Sequence, residues 1–391
     1  MNYADKISNT VGAIPRSGIR DFFELVIGRD DVISLGVGEP DFQTPWHIRE
    51  AAIFSLEQGK TSYTSNLGLL SLREAISTYV NDFFRVDYDP KSEVLVTVGV
   101  SEAMDLALRA LCNPGDEVIY HEPCYVSYSP SIAMAYAVPV VVETQKEHNF
   151  AVQAADIAQA ITPRSKVLIL NYPTNPTGAL ANPEELAAIA ELCVKHDLIV
   201  LADEIYSELT YEGDPGLSIV QMPGMRERTI LLHGFSKAFA MTGFRMGYAC
   251  APPPLIDAMM KIHQYAMLCA PITSQAAALE ALENGMPAVL EMKESYEMRR
   301  NYVVTRLNDM GLDCHLPGGA FYVFPDITRY GLSSHEFALR LLEEESVAAV
   351  PGTAFGACGE GFLRCCYATA FDQLEVAMDR LERFVQRLEP Q

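Results

Sequence analysis

Residues 166–206 read KVLILNYPTNPTGALANPEELAAIAELCVKHDLIVLADEIY. Two apolar runs, KVLILN (166–171) and LIVLAD (198–203), have the length of strands rather than helices. Their near-continuous hydrophobicity suits strands covered on both faces. Between them, Asn182-Pro183-Glu184-Glu185 offers an N-cap, a proline at the first helical position and acidic residues in the first turn. Leu186, Ile189 and Cys193 then mark one face of a helix. Strand, helix and strand in that order are the unit of a parallel sheet.

The same alternation extends outward from this unit. Further strands are expected at EVLVTV (93–98), EVIYH (117–121), VVVET (140–144), TILLHG (229–234) and RMGYAC (245–250). The fold class is therefore α/β, a mainly parallel central sheet flanked by helices, over residues 46–285. After Pro287 the pattern becomes a long helix, the Gly-rich strand region LPGGAFYVFPDI, a helix around 334–345 and a strand at GFLRCCYA. The last helix carries Leu374, Met378, Leu381, Val385 and Leu388 at alternating steps of four and three, a core-packing stripe. A chain of 391 residues exceeds the size at which one core keeps growing. Residues 1–45 and 286–391 are accordingly expected to form a second, smaller α+β domain.

Composition excludes several classes of function. With 29 basic and 51 acidic residues the net charge is −22, a surface that repels nucleic acid and anionic lipid. No apolar run approaches the roughly 20 residues of a membrane span; Ile132–Val142 is short and contains Pro139. The opening MNYADKISNTV has neither a basic start nor an apolar core, so a cytoplasmic protein without signal peptide is expected. The nine cysteines include no C-x-x-C pair, and Cys193, Cys250 and Cys269 sit among apolar residues as buried thiols would. Adjacent Cys365 and Cys366 point to opposite faces of a strand, which suits packing better than a redox or metal pair. The eight histidines lack metal-ligand spacing, so no metal is expected. Gly36-Val37-Gly38 lacks the third glycine of a dinucleotide fingerprint, and no P-loop occurs.

Four segments carry candidate chemistry. In GFSKAFAMTGFRMGY (234–248), Lys237 lies between a strand and a Gly-containing loop, where desolvation favours the neutral, nucleophilic amine. Arg245, eight residues on, could clamp a phosphate with its planar fork. Each alone reads far more readily as a surface or structural cation. In ADEIY (202–206), Asp203 ends a parallel strand where such sheets bind ligands, and could keep a pyridinium nitrogen protonated while Tyr206 donates to a ring oxygen. An N-cap Asp with a packed Tyr is the alternative. NYPTNPTG (171–178) makes a tight loop at the same sheet edge, presenting Asn175 to a ligand oxygen, or is simply an Asn-Pro turn. In VGVSEAMDLAL (98–108), free N–H groups and the Ser101 hydroxyl could bind phosphate, although Ser101-Glu102 reads equally as a helix cap.

Taken together, in this order and spacing, these segments resemble the class I/II aminotransferases of the fold-type I pyridoxal-phosphate enzymes. The resemblance covers essentially the whole chain. SGIRDFFELV…ISLGVGEPDFQTP and YTSNLGLLSLREAI resemble the prokaryotic aspartate/aromatic branch. It implies pyridoxal 5'-phosphate held by Lys237 as a Schiff base, with Asp203 on the ring nitrogen and Tyr206 and Asn175 on the ring oxygen. It further implies Tyr125 stacked on one ring face and Ile205 on the other. Ser101, Glu102, Ser236 and Arg245 would surround the phosphate. Arg364 of EGFLRCCYA would hold the substrate carboxylate, with Asn175 and Gly38 lining that pocket. Tyr63 would reach the phosphate of a neighbouring subunit, so a homodimer with shared active sites is implied. One departure stands out: many relatives carry serine three residues before the lysine, and here Gly234 stands instead.

The implied activity moves the amino group of an L-amino acid, aspartate or aromatic in type, to a 2-oxo acid such as 2-oxoglutarate by a ping-pong cycle. A C–S β-lyase on the same scaffold is the alternative enzyme reading. A DNA-binding regulator on this fold is disfavoured, because only residues 1–35 precede GVGEPDF and the chain is strongly acidic.

Overall fold

The computed structural model describes residues 1, 3–16, 18–19, 24, 26–29 and 31–388. Most of SGIRDFFELV lies outside the described residues. The described strands are β1 (Ile33–Ser34), β2 (Val94–Thr97), β3 (Glu117–Glu122), β4 (Val138–Glu143), β5 (Ser165–Asn171), β6 (Ile199–Asp203), β7 (Thr229–Gly234), β8 (Gly247–Cys250), β9 (Tyr322–Val323), β10 (Val347–Ala348), β11 (Val350–Pro351) and β12 (Leu363–Cys366). A seven-stranded sheet has the order β2-β8-β7-β6-β5-β3-β4. Among its described strands β8 alone runs against its neighbours. The β7–β8 connection contains only one short 3-10 turn, Thr242–Phe244, and without a crossover helix the chain returns antiparallel.

Period-two alternation sorts the strand side chains into two layers. Val167, Ile169 and Leu201 pack with helices Gly99–Leu111 and Pro253–Ala266 on one face. Leu168, Leu170, Val200 and Ala202 pack with helix Pro183–Lys195 on the other. The Asn182 side chain caps that helix, accepting from the backbone N–H groups of Glu184 and Glu185. The strand read at 140–144 differs from its neighbours. As β4 it forms an edge of the sheet, and Val138 and Val141 face solvent. Its apolar sequence resembles that of the buried strands, but its place in the sheet order leaves these side chains uncovered.

Beyond the sheet, helices Met286–Asp309, Ser334–Glu345 and Phe371–Gln386 enclose an apolar cluster with β9, β10 and β12. Leu374, Met378, Leu381 and Val385 are buried in it and Leu388 packs against it. The N-terminal segment joins this body: β1 pairs in parallel with β10, and the Cys366 N–H donates to the Leu35 carbonyl. Ile205, Tyr206 and Leu209, just past the end of β6, belong to the same cluster. The carboxyl end of the sheet is thereby anchored in this cluster. All nine cysteines are free; Cys365 and Cys366 are both buried, while Cys269 is only half-buried, its loop position outweighing its apolar surroundings. No helix among the described residues is long and apolar enough to cross a membrane, and no His, Cys, Asp and Glu among them cluster as a metal site.

Truncating the last helix tests this packing. Leu381→Ala should cost about 2–5 kcal/mol as a buried cavity, whereas exposed Val376→Ala should change stability by less than about 0.5 kcal/mol. Thermal unfolding of the two variants checks this; equal midpoints would contradict the assigned core.

Candidate active site

The site begins where β5 and β6 end. Asn171 and Asp203 are register partners, and the Asn171 side-chain amide donates to the Asp203 carbonyl at 2.8 Å. The Asp203 carboxyl is buried, with Oδ2 accepting from Tyr128 Oη at 2.7 Å and Oδ1 from the Ile205 N–H at 3.3 Å. Burial pushes its pKa up, and the Tyr128 hydrogen bond partly offsets this. A carboxyl so placed is short of positive charge, and a cationic nitrogen nearby would favour its ionised form.

Lys237 approaches from the β7–β8 loop. Its Nζ donates to the Gly38 carbonyl at 2.6 Å and lies 5.6 Å from the ring centres of Tyr206 and Phe321. Desolvation lowers its pKa to about 8, with the charges of Arg364 and Arg245 acting in the same direction. Gly38 lets the chain pass close to Tyr322: a Cβ there would lie 2.5 Å from Tyr322 Oη and would have to displace it.

Arg364, on β12, is only 2% exposed. Its guanidinium lies 4.6 Å from the Tyr322 ring centre and 4.7 Å from that of Phe355. One terminal nitrogen donates to Asn175 Oδ1 at 3.1 Å and the other to the Gly36 carbonyl at 2.5 Å. Its Nε is buried without a partner, and among the described residues no carboxylate pairs with this arginine. A buried planar cation with neutral partners and an unfilled N–H is suited to a carboxylate ligand.

At the far side lies the turn before helix Gly99–Leu111. Gly99 has φ +74, and a Cβ there would meet the Arg245 guanidinium at 2.6 Å. Arg245 and Ser101 are exposed, whereas Ser236 is buried. Tyr125 is half-buried and meets Tyr128 edge-on, ring centres 5.8 Å apart. Tyr63 stands apart from the rest, 83% exposed.

Comparison with known proteins shows which family the chain belongs to. Residues 30–381 match the family described as aminotransferase class I and II. The chain is 55% identical to the putative aminotransferase YugH of Bacillus subtilis strain 168, over 97% of this chain and 98% of that protein. It is 43% identical to aromatic-amino-acid aminotransferase 2 of Thermococcus litoralis, over 96% and 97% of the two chains. Among solved structures, the aspartate aminotransferase of Thermus thermophilus with maleate superposes with a TM-score of 0.92 at 39% identity, covering 96% of this chain and 99% of that one. This chain is a class I and II aminotransferase.

In the aminotransferase, three of the expected site residues have partners within the chain. Tyr206 Oη pairs with Tyr322 Oη at 2.9 Å, so its hydroxyl is shared with a residue that sequence reading missed. The Glu102 carboxylate does not face outward: it accepts the Val98 N–H at 2.5 Å and pairs with His263 Nδ1 at 2.8 Å. The helix-cap reading of Glu102 therefore describes its side chain. Asn175 is oriented by Arg364 and by its own N–H bond to Asn171 Oδ1. Gly234 also has a packing reason, since a Cβ would lie 2.8 Å from the Met246 carbonyl and 2.9 Å from Gly247 Cα. A serine would clash there. Tyr128 was findable as a second tyrosine three residues after Tyr125, at the start of helix Tyr128–Met134; nothing in FYVF singled out Tyr322.

The lowered Lys237 pKa has a direct readout. The amine is neutral above about pH 8, so reductive methylation of Lys237 should rise through about pH 8, below the range near 10.4 of ordinary lysines. Peptide mapping across pH measures it; a Lys237 profile indistinguishable from surface lysines would contradict the desolvated environment.

Proposed function

We propose that this aminotransferase binds pyridoxal 5'-phosphate and transfers the amino group of an aspartate-type or aromatic L-amino acid to a 2-oxo acid, 2-oxoglutarate, in two half-reactions. The observation that carries this reading is the placement of a depressed-pKa lysine between a buried carboxyl and a buried, carboxylate-free arginine. The similarity to an aromatic-amino-acid aminotransferase and an aspartate aminotransferase supports the donor class.

The residues fit the cofactor chemically. Asp203 would face the ring nitrogen, Lys237 would hold the aldehyde carbon, and Asn175 and Tyr206 would lie toward the ring oxygen. Tyr125 and Ile205 would cover the ring faces, and Ser101, Ser236 and Arg245 with the Gly99 turn would take the phosphate. When bound, the cofactor supplies an electron sink for the pair released at the substrate Cα. The chain does the rest. Arg364 binds the substrate carboxylate through charge-assisted bonds and so orients Cα–H. Lys237, whose lowered pKa leaves its amine free above about pH 8, would take that proton and pass it on within the same half-reaction. Asp203, once ionised, holds a proton on the ring nitrogen. The close contact of Gly38 with Lys237 and Tyr322 restricts the room left for water.

The division into a cofactor-binding unit (46–285) and a smaller unit (1–45 with 286–391) belongs to the same proposal. So do a cytoplasmic location and a homodimer in which exposed Tyr63 reaches the partner's phosphate.

Steady-state kinetics with amino donor and 2-oxoglutarate test the assignment. Lys237→Ala should lower turnover by about 1000-fold or more. Arg364→Ala should raise KM for both the amino acid and the oxo acid about 10- to 100-fold, the cost of a lost charged hydrogen-bonding partner. Unchanged kinetics in either variant would overturn the role given to it. Pyruvate and ammonia released with no oxo acid present would favour the C–S lyase instead.

A further inference from the structure

Helix Pro253–Ala266 packs along helix Gly99–Leu111 through Ile256, Met259 and Ile262 against Ala103, Met104 and Ala107. Within this apolar contact sits His263, fully buried. Its Nδ1 lies 2.8 Å from Glu102 Oε1, and facing a carboxylate this nitrogen carries the proton. The second Glu102 oxygen accepts the Val98 N–H, immediately before Gly99. His263 Nε2 has no hydrogen-bond partner. A buried imidazole with one nitrogen unsatisfied carries a desolvation cost, so its retained bond to Glu102 is the contact that determines its orientation.

We propose that His263 is a positioning residue for the phosphate turn, acting through Glu102; this rests on the cofactor reading above. Glu102 lies one residue after Ser101 and three after Gly99, on the turn whose free N–H groups would face the phosphate. A carboxylate at this point would repel a dianion if its oxygens were free to swing toward it. The Val98 N–H and His263 occupy one oxygen each and turn the charge away from the turn. They also fix the Val98–Gly99 backbone in the conformation that lets Arg245 lie over Gly99 at φ +74. His263 does not touch substrate or cofactor.

The test compares the affinity of apo-protein for pyridoxal 5'-phosphate and for pyridoxal, which lacks the phosphate, by absorbance titration. The ratio of the two affinities isolates the contribution of the phosphate contacts. His263→Leu, which keeps the volume and removes the donor, should lower this ratio about tenfold or more, with pyridoxal binding little changed. Adding Glu102→Gln to His263→Leu removes the released charge and should restore much of the ratio, whereas Glu102→Gln alone should leave it equal or higher. A His263→Leu protein that loses both ligands in parallel, or neither, would overturn the proposal. So would a lowered ratio in Glu102→Gln alone, and this variant also serves if His263→Leu fails to fold. Wild-type protein that takes up neither compound would contradict the cofactor reading, an outcome separate from these.

Discussion

The structure depends on a buried cation that its own chain does not neutralise. Arg364 lies in the interior, held by the Gly36 carbonyl, the Asn175 amide oxygen and the faces of Tyr322 and Phe355. Withdrawing a guanidinium from water without a carboxylate partner is expensive, and such arrangements persist where a ligand completes them. Lys237 shares this environment. Desolvation is the largest cause of its lowered pKa, and the Arg364 charge adds to it. One environment thus holds both a buried cation without a counter-ion and an amine with a lowered pKa.

The fold exists to hold these groups from several directions at once. Asn171 and Asp203 come from adjacent strand ends, Lys237 from the β7–β8 loop and Arg364 from β12. Gly36–Thr44 ties them together. Its carbonyls receive Arg364 and Lys237, Thr44 donates to the Ala240 carbonyl at 2.5 Å, and Asp41 pairs with Arg299 of the long helix at 2.8 Å. Displacing this strap by an ångström would move both cations relative to each other, a scale at which positioned groups lose much of their effect.

Much of this was legible in the sequence because strong local signals agreed with the global fold. The helix at Pro183–Lys195 announced its cap and apolar face, and the strands flanking it differ from their expected spans by a residue or so. Asp203 closes a strand, and Asn175 and Lys237 lie a few residues past strand ends, where local patterns point, whereas Arg364 lies within β12 and was named only through the family resemblance. The illegible part is tertiary. The exposure of β4 depends on sheet order, and the reversal of β8 on a connection lacking a helix. Tyr322 and His263 read as ordinary core residues, because their partners Tyr206 and Glu102 lie 116 and 161 residues away. Periodicity also hides them, since burial and function place a side chain on the same face.

The most direct measurement is the visible absorption of the purified protein while single amino acids are added with no oxo acid present. The account predicts a cofactor band that bleaches once per active site with an aspartate-type or aromatic amino acid and returns on adding 2-oxoglutarate. A band that persists while pyruvate and ammonia accumulate would contradict transamination. A protein that neither shows such a band nor acquires one with added pyridoxal 5'-phosphate would contradict the proposed cofactor chemistry of Lys237 and Asp203.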